Sequence, residues 1–233
     1  MKELLSLSIC VPAFNEEKNI KPAVEDLLSA LPGMLKKLEI IIVDDASADS
    51  TSQLAAQLAK EHAEVKVIRH HKNSGIGACY RDALAVATGD YYTWFPADHE
   101  NSSDEFVQCL PFLSQDTIVI CHHQGLDPRS IMRRMISRTY TRVLNRLFHL
   151  NLKYYNGLTI FPAAALRSFS LAADGFFFLA ESLIKADRRG YRIVELAAAL
   201  KKRNYGKSKA LSLFAIKQMS CDILRILLRR RKD

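Results

Sequence analysis

Glu39-Ile40-Ile41-Ile42-Val43-Asp44-Asp45 is an apolar, β-branched run that stops at paired carboxylates. A second run, Tyr91-Tyr92-Thr93-Trp94-Phe95-Pro96-Ala97-Asp98-His99-Glu100, also ends in acids. A continuous apolar stretch suits a strand buried on both faces, as in a parallel sheet. In such a sheet both strands finish on the same edge, where open α/β sheets bind their ligands, so the acids gather around one crevice. Clustered carboxylates there suggest a divalent metal and a phosphorylated ligand. Acids also follow strands simply because Asp favours turns. Two such strands, each with further polar residues at suggestive spacing, weigh towards the functional reading.

The pattern extends outward from these runs. Leu7 to Val11 is a short apolar strand, followed by the loop Pro12-Ala13-Phe14-Asn15-Glu16-Glu17 and an amphipathic helix from Asn19 to Leu31. After a strand at Leu38 to Val43, the spacing of Leu54, Ala55, Leu58 and Ala59 predicts a helix over Ser47 to His62. Val65 to Arg69 reads as a strand, Gly75 to Ala87 as a helix and Asp90 to Phe95 as a fourth strand. This alternation predicts an α/β fold with a doubly wound, mostly parallel sheet. From Ser102 the pattern loosens: a helix near Asp104 to Leu113, a strand at Thr117 to Cys121, a basic helix, and a strand around Leu158 to Phe161. A helix over Asp174 to Arg189, a strand at Tyr191 to Leu196 and a helical tail from Leu211 complete it.

With 233 residues and 48% hydrophobic content, the chain has enough apolar material for a full core. Cys10, Cys79, Cys109, Cys121 and Cys221 are odd in number, scattered and mostly set in apolar runs, which predicts packed, reduced thiols in a cytoplasmic protein. The N-terminus enters a strand-like run almost at once, without the regions of a signal peptide. No apolar stretch reaches the roughly 20 residues of a membrane span, so a soluble or peripheral protein is expected. Net charge is +8 and localised: between Pro128 and Ala173 there is no acid, while Arg129, Arg133, Arg134, Arg138, Arg142, Arg146, Lys153 and Arg167 lie there. Such a local field suits a particular anionic partner. Nucleic acid, suggested by basicity alone, is the weaker choice and is not expected.

Several segments carry chemistry. An aromatic such as Phe14, just after the first strand, can support a planar base, although Pro-x-x-Asn is also a common turn. Adjacent carboxylates at Asp44 and Asp45 can accept hydrogen bonds from ribose or base, while Ser47, Asp49 and Ser50 are natural helix caps.

Val11 to Glu16, Val43-Asp44-Asp45-Ala46-Ser47-Ala48-Asp49-Ser50-Thr51, Asn73-Ser74-Gly75-Ile76-Gly77 and Ala87-Thr88-Gly89-Asp90 together resemble inverting family 2 glycosyltransferases of the GT-A fold. Within that family, Gly157 to Leu166, Gly190-Tyr191-Arg192-Ile193-Val194-Glu195 and Arg203-Asn204-Tyr205-Gly206-Lys207-Ser208-Lys209 are similar to polyprenyl-phosphate sugar synthases. The resemblance implies a glycosyltransferase domain over 1–209, with a nucleotide-binding half (1–95) and a metal and acceptor half (96–209), followed by a basic amphipathic helix over 210–233. It implies a nucleotide-diphosphate sugar donor lined by Pro12, Phe14, Glu16, Asp44, Asp45, Gly75, Arg81 and Ala97. It also implies an Asp-x-Asp motif holding Mg²⁺ or Mn²⁺ at the end of the fourth strand. Here the chain departs from the family, because Pro96 stands at the first Asp position. Asp98 and Glu100 remain as metal ligands, and Mg²⁺ is commonly held by one or two carboxylates with phosphates and water.

The acceptor decides whether a base is needed. A sugar hydroxyl requires one, whereas a lipid phosphate is already anionic near neutral pH. Hydroxyl-acceptor relatives carry a Glu-Asp pair in the helix before the late strand. This chain has Phe176-Phe177-Phe178-Leu179-Ala180-Glu181, with Leu179 at the base position. That favours a polyprenyl phosphate, and leaves Glu181 as either a site residue or a structural ion-pair partner.

Arg134, Arg138, Arg142 and Arg146 recur every four residues, opposite an expected packed face of Met135, Ile136, Tyr140, Val143, Leu144 and Leu147. An anionic acceptor should meet cations, and the absence of acids here points its phosphate to Arg134 and Arg138, with Ser208; a solvated face is the alternative for the distal arginines. Arg203 and Lys209 are expected to close over the diphosphate, with Gly206 supplying backbone freedom. Ile216, Met219, Ile223, Ile226 and Leu227 share one face of the tail. That face suits an anionic membrane surface on the cytoplasmic side, packing on the domain, or a partner: a second copy or a membrane protein.

Overall fold

In the computed structural model, which describes residues 5–31, 33–98, 103–123, 131–198 and 213–229, the strand–helix alternation is realised in full. The first half runs β1 (Ser6–Ala13), α1 (Ile20–Ala30), β2 (Lys37–Asp44), α2 (Thr51–Glu61), β3 (Val65–Arg69), α3 (Ile76–Val86) and β4 (Tyr91–Trp94). The second half runs α4 (Asp104–Cys109), β5 (Thr117–His123), α5 (Ile131–Phe148), β6 (Thr159–Pro162), α6 (Ala163–Ser168), α7 (Phe178–Arg188), β7 (Arg192–Ala198) and α8 (Leu213–Arg229).

The strands form one seven-stranded sheet in the order β3-β2-β1-β4-β6-β5-β7. Every pairing is parallel except those of β6, which runs antiparallel between β4 and β5. β2 shows why its run lacks polar alternation. Ile41 and Val43 enter a core with Cys10, Tyr80, Tyr92, Ile120 and Phe161, while Ile40 and Ile42 enter another with Ile9, Val24, Leu27, Leu58 and Phe95. Helices α1, α2 and α4 cover the second face, and α3, α5, α6, α7 and α8 the first. An open sheet covered on both sides leaves its ends for ligands.

Some boundaries differ from the sequence reading. α2 starts at Thr51 rather than Ser47, because residues 45–50 form a loop with Ala46 at positive φ. The sequence reading missed α6, a single short turn packed by Ala163, Ala165 and Leu166. α5 differs most. Its packed face is Thr141, Leu144 and Phe148, whereas Met135, Ile136 and Val143, expected to be packed, are exposed. For the tail, the structure selects packing on the domain: Asp222 and Ile226 are buried, and Met219, Ile223 and Leu227 pack against the α7 side of the core. No helix among the described residues is long and apolar enough to cross a membrane.

Glu39, which opens the β2 run, is buried and fully partnered. It accepts from Ser8 Oγ at 2.5 Å, Lys66 Nζ at 2.6 Å and Thr88 N at 2.8 Å. Burial raises its pKa, but these bonds outweigh burial and bring it down from 4.5 to about 2. A depressed folded pKa stabilises the fold above the unfolded value, and that contribution is lost as pH falls through the folded one. Glu39→Gln is therefore expected to cost about 2 kcal/mol at neutral pH. In denaturant titrations the gap from wild type should shrink as pH drops from 4.5 towards 2; a gap independent of pH would contradict the assignment.

Candidate active site

The ends of β1, β2 and β4 lie side by side, with β1 in the middle. Ala13 pairs with Asp44, and Phe95 N donates to Cys10 O at 2.8 Å, carrying the β4 pairing past Trp94. Asp45 and the segment leading to Asp98 therefore flank the end of β1. This is the shared edge expected from the two acid-terminated runs.

The loops after β1 and β2 are stitched together by the polar cluster of the second. Asn15, at φ 55°, donates its N–H to Ser47 Oγ at 3.0 Å, and its Oδ1 accepts from Ala48 N at 2.8 Å. Glu16 N donates to Thr51 Oγ1 at 2.9 Å, and Ser50 N to Glu17 Oε2 at 3.1 Å. Ser50 occupies the N-cap of α2 without a side-chain cap bond. Of the Ser and Asp residues after β2, Ser47 joins the two loops, and Asp49 does both jobs: Oδ2 accepts from Glu17 N at 3.3 Å, and Oδ1 from Thr51 N at 3.0 Å at the start of α2. Pro12 and Phe14 are half-buried beside this junction, and Glu16 Oε2 accepts from Asn19 Nδ2 at 2.7 Å at the entry to α1.

The paired carboxylates separate. Asp44 is fully buried and turns inward: Oδ1 accepts from Ser47 N at 3.0 Å, and Oδ2 lies 3.5 Å from Arg69 Nε. Asp45, 4% exposed, organises the loop after β3. Its Oδ1 accepts from Ser74 N and lies 2.7 Å from His70 Nδ1, while Oδ2 accepts from Gly75 N at 2.9 Å. The other ring nitrogen of His70 is 3.1 Å from Asp82 Oδ2. With carboxylates on both sides, the ring donates to both only as imidazolium. Sequence reasoning missed His70; the signal was its place immediately after a strand ending on the same edge. A carboxylate offers about four acceptor directions, and three on Asp45 are used, which leaves one on Oδ2.

Gly75, at φ 93°, sits where a Cβ would lie 2.4 Å from Asp174 O, so the start of α3 packs directly on the loop before α7. Arg81 clamps that contact: Nη1 donates to Ala173 O at 2.7 Å, and Nη2 pairs with Asp174 Oδ1. Glu181, 1% exposed, holds the same loop from the other side. It accepts from Ala172 N and from Ala173 N at 2.8 Å, and pairs with Lys185 Nζ at 2.7 Å. The structural alternative for Glu181 is therefore the one its geometry supports.

Just beyond β4, Phe95 and Ala97 are buried, with the Phe95 ring 5.8 Å from that of Phe106, and half-buried Asp98 is the next side chain. Trp94 meets Phe178 edge-on at 5.5 Å. Arg134 is half-buried and Arg138 exposed on α5. Glu100, Arg203, Ser208 and Lys209 lie outside the described residues.

Asp45, His70 and Cys79 bring one ligand atom each within 4.8 Å of one another. Burial, foremost, and the nearby Asp45 charge push the Cys79 thiol well above its ordinary range. A buried protonated thiol and an imidazole are poor partners for Mg²⁺ or Mn²⁺, which prefer oxygen. Asp98 supplies oxygen alone and fits such an ion.

The model for Glycosyl transferase family 2 matches residues 8–176, a span that includes both acid-terminated strands and the Asp45 loop. The chain belongs to glycosyl transferase family 2. Among curated relatives in the family, an undecaprenyl-phosphate 4-deoxy-4-formamido-L-arabinose transferase of Pectobacterium carotovorum is 24% identical over 145 residues, 62% of this chain and 44% of that protein. The chain thus spans less than half of the length of this relative. Glucosyl-3-phosphoglycerate synthase from Mycobacterium tuberculosis, in complex with UDP, superposes with a TM-score of 0.72 at 20% identity, covering 97% of this chain and 80% of that one. TarS of S. aureus, in complex with UDP-GlcNAc, gives a TM-score of 0.69 at 18% identity, covering 96% and 65%. These likenesses confirm the GT-A-type α/β sheet for this family 2 member.

Proposed function

We propose that this protein transfers a sugar from a nucleoside-diphosphate sugar to a polyprenyl phosphate, with inversion at the anomeric carbon. The observation that carries this reading is the pair of carboxylates flanking the end of β1. Asp45 keeps one acceptor direction for an N–H or O–H of the nucleoside, and Phe14, next to the Ala13 whose O accepts from Asp45 N at 2.9 Å, would supply an aromatic platform. Asp98, with Glu100 in the sequence beyond it, would hold Mg²⁺ or Mn²⁺. The ion would supply charge neutralisation for the leaving diphosphate. The structures of the mycobacterial synthase with Mn²⁺ and with Mg²⁺, each with UDP, support this choice of ion.

The bonding of Glu181 supports a phosphate acceptor. Both of its oxygens are engaged by the loop and by Lys185, so it is a poor base for a hydroxyl acceptor. A phosphate monoester needs none. One of its oxygens attacks the anomeric carbon, the bond from that carbon to the diphosphate oxygen breaks, and the electron pair leaves with the diphosphate. Arg134 and Arg138 on acid-free α5, with Arg203, Ser208 and Lys209, are the cations assigned to the phosphates. The name of the Pectobacterium relative, an undecaprenyl-phosphate transferase, supports the same acceptor class.

The test is incubation with radiolabelled sugar nucleotides, undecaprenyl phosphate and Mn²⁺. A lipid-linked product that disappears with chelator is expected. Transfer to saccharide hydroxyls with none to the lipid would overturn the acceptor assignment.

A further inference from the structure

α5 presents two different faces. Thr141, Leu144 and Phe148 are buried against the sheet, and Tyr140 and Leu147 pack alongside them. The opposite face opens with Ile131, Met132 and Met135, exposed to 69%, 67% and 63%. On that face Ile131, Met135, Arg138, Arg142 and Arg146 recur every three or four residues, the spacing of one helical stripe. Arg138, Arg142 and Arg146 are all exposed, and no acid occurs between Pro128 and Ala173 to neutralise them. Large apolar side chains in water are costly when they cluster, and an uncompensated cationic flank gives the cluster a preferred partner.

We propose that this face of α5 docks on an anionic lipid bilayer, with Ile131, Met132 and Met135 entering between the headgroups and Arg138, Arg142 and Arg146 contacting the lipid phosphates. Charge complementarity selects the occupant: apolar residues flanked only by cations form the pattern of a helix lying in an anionic interface. α8 is the less suitable element, because Asp222, Ile226 and their neighbours are committed to the domain. α5 follows β5, whose end lies on the same edge as Asp45 and Asp98, so docking here brings the candidate site to the membrane. The choice of a bilayer rests in part on the lipid-phosphate reading above, and the experiment separates the two.

Flotation of the full chain with phosphatidylglycerol vesicles, with phosphatidylcholine vesicles and without lipid reads docking without reference to activity. Wild type should float with the anionic vesicles and lose binding as salt rises. Met132→Asp combined with Met135→Asp, and separately Arg142→Glu combined with Arg146→Glu, should each weaken binding by about tenfold or more. All four positions are exposed, and circular dichroism verifies the fold. Binding that the variants abolish, together with no transfer to any polyprenyl phosphate in detergent, would sustain docking and overturn the function. Transfer in detergent without flotation of wild type would do the reverse. A wild-type dimer that the methionine variant dissociates, with no vesicle binding, would assign the face to a second copy and overturn the proposal.

Discussion

Asp98→Asn is expected to lower transfer by about a thousandfold while leaving the fold intact, if the carboxylate holds the ion that neutralises the departing diphosphate. Asp98 is half-buried and follows buried Ala97, and the exchange of one oxygen for an amide keeps the size and shape of the side chain. The effect should fall mainly on turnover, with affinity for the free nucleoside monophosphate unchanged, because Asp45 and the loop after β3 are untouched. Single-turnover kinetics over a range of Mn²⁺ concentrations, with calorimetry for the monophosphate, make the check. A loss of less than about tenfold at saturating Mn²⁺ would remove Asp98 from the metal role. Pro96 sharpens the prediction: without a carboxylate at that position, Asp98 has less support than its counterpart in relatives with the full motif.

Glu181→Ala should destabilise the protein by about 3 kcal/mol, the cost of leaving buried backbone donors unmatched and a half-buried cation without its carboxylate. The N–H groups of Ala172 and Ala173 lose their acceptor, while Lys185 Nζ keeps only its bond to Ser170 O. That loop also receives Arg81 and the start of α3, so its release would loosen the side of the candidate site that holds Asp45. Glu181→Gln retains one acceptor and should cost less. The readout that distinguishes a positioning residue from a base is the pH profile of transfer. A positioning role predicts a lowered melting temperature with the shape of the pH profile retained in the Gln variant. Loss of the acid limb, with stability unchanged, would instead identify a general base and a hydroxyl acceptor.

The two decisive runs were legible because strands with both faces buried have no room for polar alternation, and β2 delivers Ile40 and Ile42 to one core and Ile41 and Val43 to the other. α5 was legible as a helix but not in its orientation. Its sequence offers apolar residues on more than half of its circumference, and only packing selects Leu144 and Phe148 over Met135 and Val143. The Ser and Asp cluster after β2 has cap-like composition, and Asp49 does meet the first N–H of α2, yet Ser47 and Asp49 also bind Asn15 and Glu17 in another loop. His70 escaped notice because histidines after a strand, here His70 and His71, have no local pattern that says which one turns to the site.

The sequence by itself determined the alternation of strands and helices, the acid-terminated strands and hence the edge at which they meet, since these follow from hydrophobic burial and chain direction. Only the tertiary structure decided which donors each acid meets. Asp44 and Asp45 are neighbours with the same side chain, but one is tied to its own turn and Arg69, and the other to His70, Ser74 and Gly75. Glu181 is likewise assigned by Ala172, Ala173 and Lys185. A carboxylate's role depends on the donors folding brings to it, and here several of those donors lie far from it along the chain.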